Sequence, residues 1–264
     1  MILILFVLLK TLLSLMPENE NLNFKWKLSW HDEFNYSGLP DSAKWSYETG
    51  YIRNDELQYY TQARIKNTRV ENGHLIIESY KEDYKEYKYT SASLHSKSKG
   101  DWLYGRIEIR AKVPGSRGTL AAFWMLPTNP EYGDWLKSGE IDLMECVGYE
   151  PNKLHFTIHT QAFNEFAGTK KGRHIELKED SPQSQFHLYA MEWYPEKLIF
   201  FLDGRQVFEF NKQGENSEVW PFDKHFYLIM NIAIGGSWGG LKGIDDSEFP
   251  QRMTIDYVRI YTVK

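Results

Sequence analysis

Three carboxylates, Glu140, Asp142 and Glu145, stand in the apolar run Gly139–Gly148 with no basic residue among them. Two acids in different protonation states can cleave a glycosidic bond. One attacks the sugar or activates water, and the other protonates the leaving oxygen. Crowding them on one water-poor face pushes their pKa values apart. A third acid between them can share a proton and tune both. The plain alternative is a solvated strand face, but like charges side by side on a sheet are unfavourable.

The spacing poses a problem that a strand must solve. Side chains alternate with a period of two, so Glu140 and Asp142 share a face while Glu145 points the other way. One extra residue at Leu143–Met144, a β-bulge, rotates Glu145 back onto the acidic face. The two glutamate Cα atoms then lie about 13 Å apart. Their side chains must lean together to reach the roughly 5 Å of a retaining mechanism, so spacing alone leaves retaining and inverting open. Cys146, the one cysteine, points to the opposite, core side; no disulfide can form, and no Cys–His motif accompanies it.

The elements that must hold these acids read as strands. Trp26, Leu28 and Trp30 alternate with polar residues, and Tyr104–Val113 alternates most cleanly of all. Ala121–Leu126 is continuously apolar. Leu154–Thr160 alternates with His155 and His159 on one face, about 13 Å apart on a strand, too far for a two-histidine metal site. Phe186–Trp193, Phe226–Ile234 and Met253–Val263 complete the set. Asn72-Gly73 and Asp203-Gly204 are hairpin turns. Lys81–Lys88 reads as an exposed charged turn, and Gly235–Gly240 as a mobile loop around Trp238. It is no phosphate cradle, lacking Lys-Ser/Thr and a following helix. With no helical periodicity beyond a turn or two, the pattern predicts an all-β sandwich or barrel.

A length of 264 residues fits one large domain, expected over residues 22–264. The net charge of −5 and the lack of a basic stripe argue against a nucleic-acid partner. Nothing marks a protein partner, and a monomer is expected. Aromatics make up 16% of the chain, more than a core requires, and the surplus suits flat sugar faces. Met1–Met16 is apolar except for Lys10 and shorter than the roughly 20 residues that span a bilayer. Residues 1–21 are therefore expected to be a signal peptide or apolar anchor with a short link. The chain is placed outside the cell, in the periplasm or on the cell surface, although the basic start and a clean cleavage site are missing.

With these residues in hand, the chain resembles glycoside hydrolase family 16, in its laminarinase-like bacterial β-1,3(4)-glucanase branch. Glu140-Ile141-Asp142-Leu143-Met144-Glu145 matches that branch's bulged E-x-D-x-x-E signature. Other matches are Trp30–Phe34, Glu56–Thr61, Tyr104–Arg106, Ala122–Pro127, Phe249–Gln251 and Asp256–Tyr261. The resemblance implies a concanavalin-like jelly-roll sandwich of two antiparallel sheets with a concave substrate cleft. It implies Glu140 as nucleophile, Glu145 as general acid/base and Asp142 as the partner that tunes Glu140. Trp124 and Trp135 would stack on sugars, Asn54 and His159 would contact them near the cleaved bond, and Trp238 would wall the cleft. No cofactor is needed for the chemistry. A structural calcium ion, often present in the family, would be held by Glu33, the Gly73 backbone and Asp256.

The expected reaction is endo-acting, retaining hydrolysis of β-1,3- or mixed-linkage β-1,3-1,4-glucans such as laminarin, lichenan and cereal β-glucan. Two departures bear on it. Laminarinases often read Gly-Asn-Asn-Glu at Arg53–Glu56, and many read Arg at Ser93. The missing Arg and the extra charge at Asp55 would change substrate contacts and loosen strict β-1,3 preference. Two rival readings are a non-catalytic glucan-binding module, which has no use for three acids, and a hydrolase of agar or porphyran, whose sulfates favour cationic contacts that the net charge opposes.

Overall fold

The computed structural model describes residues 25–263, so the expectations for residues 1–21 fall outside it. Its elements are strands, apart from a single 3-10 turn at Asp246–Glu248. They form a ten-stranded and an eight-stranded sheet, antiparallel except where Gln58–Tyr60 runs parallel to Tyr87–Ser91. The two faces share one core. From the larger sheet, Ile107, Ile109 and Ala111 pack inward with Leu75, Ile77, Tyr189 and Met191. From the smaller one come Ala121, Phe123 and Met125, with Leu228, Met230 and Ile232. This is the sandwich that the alternating patterns predict.

Both predicted hairpins form, with positive φ at each pair of turn residues: Asn72 and Gly73 at 53° and 77°, Asp203 and Gly204 at 50° and 77°. Such turns match the twist of the strands they join. Lys81–Lys88 is not simply an exposed turn. The strand His74–Tyr84 runs through its first half, and Tyr87–Ser91 begins after only two intervening residues. Glu82 anchors this hairpin by pairing with Arg64 and Lys66. The Gly-rich loop is also less free than its composition suggests. Gly235 N donates to Gly118 O at 2.8 Å and Ser237 N to Asn54 O at 3.2 Å. The first bond ties the Trp238 loop to the turn before Thr119–Pro127, and the second ties it to the loop carrying Asn54.

The smaller sheet positions the acids. Its central strand, Thr119–Pro127, pairs with Glu140–Val147 on one side and Phe226–Ile234 on the other. Since Phe123 and Met125 face the core, Leu120, Ala122, Trp124 and Leu126 face away from it, onto an open cleft. The acidic strand starts after Gly139, whose φ of +82° suits glycine. It ends at Gly148, where a Cβ would lie 1.7 Å from the Ser116 carbonyl oxygen.

Candidate active site

The register of the acidic strand contains the predicted bulge. Against Lys153–His159, Asp142 pairs with Thr157 but Glu145 with His155, so three steps on one strand match two on its neighbour. On the other side Met144 faces Phe123 and Asp142 faces Trp124, which leaves Leu143 as the extra residue. Leu143 and Met144 are both fully buried in the core, and Glu140, Asp142 and Glu145 all line the cleft. Two apolar side chains in succession toward the core provide the driving force, because exposing either to the cleft would forfeit its burial.

The cleft has a free volume of about 340 Å³ beside Trp124, and a second lobe of about 180 Å³ extends past Glu145 to Trp238. Trp135 Nε1 donates to Glu140 Oε2 at 2.7 Å. His159, opposite Glu140 on the neighbouring strand, brings Nε2 to 3.1 Å from Asp142 Oδ2. Ligand atoms of Glu140, Asp142 and His159 lie within 4.8 Å of one another, a spacing that could also hold a cation. The Trp135 donor aimed at Glu140 shows that this carboxyl is an acceptor in a hydrogen-bonded set.

Burial raises all three acids. Glu140 is pushed up to about 8 by burial, then by the charge of Asp142. Asp142 is pushed up to about 7 by burial, against the hydrogen bond it shares with Glu140. Glu145 lies well above the ordinary value, again through burial and then the Asp142 charge. Three adjacent carboxyls cannot all ionise. Trp135 favours charge on Glu140, and the Glu140–Asp142 hydrogen bond lets the pair carry one negative charge and one proton. Glu145, which has no such donor among the described residues, is held toward its protonated form. Such a set can supply a nucleophile and an acid at once.

The other expected residues separate. Trp135 is 52% exposed and open to a sugar. Trp124 borders the cleft but is only 8% exposed, with its Nε1 donating to Asn231 Oδ1 at 2.8 Å and the Arg53 guanidinium over its ring. It is not the open platform expected. Trp238 walls the second lobe, edge-on to His155 with ring centroids 5.0 Å apart. Asn54 reaches the cleft from a left-handed backbone with φ 61°. Asp55 is exposed and does not line the cleft, so its extra charge does not reach substrate there; Arg53 lines it instead. Cys146 is buried in the core, and burial pushes its thiol up to about 12, so it is no nucleophile.

The calcium set does not fit. Glu33 accepts from Arg259 Nε and Nη2, each at 2.8 Å, and Asp256 pairs with Arg110. Both carboxylates already neutralise guanidinium groups, where a calcium cage needs oxygens free to converge on an ion.

Four cleft residues had no role in the sequence reading. Glu56, buried and raised by desolvation, accepts from Gln58 Nε2 at 2.7 Å. Its motif was visible, its position in the cleft was not. Asn231 is the lone polar side chain in the apolar run Phe226–Ile234, a signal that could have been read. Phe166, 81% exposed, meets Trp135 edge-on at 6.0 Å, and Lys170 lies 5.4 Å over Trp238. Both come from a loop without periodicity.

Residues 55–259 match the model for Glycosyl hydrolases family 16. The chain is 49% identical to a β-glucanase of Rhodothermus marinus over 245 residues, covering 89% of this chain and 85% of that one. Among solved structures, the laminarinase of Rhodothermus marinus superposes with a TM-score of 0.89 at 46% identity, covering 92% of this chain and 99% of the other. SCLam, described as a non-specific endo-β-1,3(4)-glucanase, superposes at 0.85 with 41% identity, covering 94% and 96%.

Proposed function

The chain belongs to glycoside hydrolase family 16 and is a glycosyl hydrolase, and from the geometry of its cleft we propose that it is an endo-acting, retaining β-1,3(4)-glucanase. The observation that carries this reading is the bulge, which brings Glu145 onto the face of Glu140 and Asp142. Glu140, in the half-ionised pair with Asp142, attacks the anomeric carbon while Glu145 gives its proton to the departing glycosidic oxygen. The bond to the leaving sugar breaks as the bond to Glu140 forms. Glu145, now a carboxylate, takes a proton from water, and the hydroxide displaces Glu140 and restores the starting state. Asp142 holds the shared proton, moving it toward Glu140 as that carboxylate is released. His159 faces Asp142, and Trp135 orients Glu140.

The cleft opens along the sheet into a second lobe, which suits cleavage within a polymer. Relatives described as a β-glucanase and a non-specific endo-β-1,3(4)-glucanase support glucan as the substrate class, including both β-1,3 and mixed linkages. Polymers of this size are met outside the cell, in keeping with the apolar stretch Met1–Met16. The chemistry uses no metal.

Glu140→Gln and Glu145→Gln test the assignment. Each should abolish reducing-sugar release from laminarin and barley β-glucan. With an activated aryl β-glycoside, whose leaving group needs no proton, Glu145→Gln should still release one equivalent of aglycone and Glu140→Gln none. Full polysaccharide activity in either folded variant overturns the mechanism.

A further inference from the structure

One carboxylate gathers both places where the sequence departs from its laminarinase pattern. Glu48 pairs through Oε1 with Arg53 Nη2, and its Oε2 accepts from Ser93 Oγ at 2.6 Å. The pair is mostly shielded, with side chains 23% and 15% exposed. Held this way, the Arg53 guanidinium sits 4.8 Å from the centroid of the Trp124 ring and lines the cleft. Among the described residues, its Nε and Nη1 make no hydrogen bond. They are donors bordering the cleft, on a planar group fixed by a largely shielded carboxylate and an aromatic face. Trp124 itself is fixed: Asn231 takes its Nε1–H and in turn donates to Tyr60 Oη at 2.9 Å. Neither partner of this stack is free to turn away.

We propose that Arg53 sets linkage selectivity at the Trp124 end of the cleft. This rests on the glucanase reading above. A β-1,4-linked stretch is a flat ribbon whose sugar faces stack on bare indole. A β-1,3-linked stretch curves and turns hydroxyl-bearing edges toward the wall. A guanidinium over Trp124 removes the flat platform and offers N–H donors to those edges, so it favours β-1,3-linked segments at this subsite. Arg53 lines the main lobe together with Glu140, Asp142 and Glu145, but among the described residues it hydrogen-bonds Glu48 and none of the three acids, so its effect falls on binding rather than on the chemical step.

The test compares kcat/KM on barley β-glucan with kcat/KM on laminarin. Arg53→Ala uncovers Trp124 and should raise that ratio at least fivefold, through KM, with kcat within about twofold on both substrates. Arg53→Lys keeps the charge for Glu48 but loses the plane, and should raise the ratio at least twofold. It decides the matter if the alanine variant does not fold. Adding Ser93→Arg to Arg53→Ala puts a guanidinium back beside Glu48 from its other side. Melting temperature should recover while the ratio stays high. An unchanged or lowered ratio in the single variants overturns the proposal, and so does a ratio restored by Ser93→Arg, because the charge on Glu48 would then matter and not the cover on Trp124. Wild-type protein that cleaves neither polymer would overturn the glucanase reading first, and this proposal with it.

Discussion

Replacing Glu140 by Gln should make the fold more stable, by an amount that depends on pH. The carboxyl of Glu140 is raised from 4.5 to about 8 by burial and by Asp142. Its folded value therefore exceeds its unfolded one. Its contribution to stability is fully present below pH 4.5 and is lost as pH rises toward 8, because the unfolded chain ionises first. At about 1.4 kcal/mol per unit, the loss at pH 7 is about 3 kcal/mol. Gln keeps the geometry: Oε1 can accept from Trp135 Nε1, and Nε2 can donate to Asp142. For a domain of this size, about 3 kcal/mol corresponds to a rise in melting temperature of roughly 6–12 °C. The assay is differential scanning calorimetry of both proteins from pH 4 to pH 8. The gain should be near zero at pH 4 and grow steadily above pH 5. A gain independent of pH, or none at pH 7, would refute the claim that ionising this buried acid opposes folding.

Trp135→Phe removes the donor to Glu140 and raises its pKa further. kcat should fall about tenfold, as for about 1.4 kcal/mol of lost charge-assisted hydrogen bonding, and the acid limb of the pH–kcat profile should move to higher pH. An unmoved limb would mean that Trp135 acts only as a sugar platform. In wild type that limb should lie above the ordinary carboxylate range, since burial raises the Glu140–Asp142 pair. Iodoacetamide at pH 8 should leave native Cys146 unlabelled and activity intact, with one label incorporated after unfolding in urea; labelling of native protein would contradict its buried placement. Chelation with EDTA should shift the melting temperature by less than about 2 °C, because Arg259 and Arg110 already satisfy Glu33 and Asp256. A larger drop, reversed by calcium, would show that those carboxylates release their arginines to an ion.

The sequence by itself determined most of the longer strands, both hairpin turns and the acid set, but not the short strands Ser46–Glu48, Gln58–Tyr60 and Ser93–His95 or the strand Lys171–Glu176. Strand alternation and Asn-Gly or Asp-Gly turns are local, and two carboxylates two positions apart on a strand must share a face. Even the bulge was legible, since the five-residue offset of Glu145 admits one simple remedy. What the tertiary structure decided are contacts between residues far apart in the chain. Arg53 covers Trp124, Ser93 joins Arg53 on Glu48, and Arg259 takes up Glu33. Asp55 carries the charge that looked important, yet it faces solvent while its neighbour Arg53 enters the cleft. The reason is physical. Periodicity fixes which way a strand residue points, but a loop residue's direction and a side chain's partner follow from packing across sheets. The loop bearing Phe166 and Lys170 has no period to read, so its place on the rim of the cleft emerges only when the sandwich closes around it.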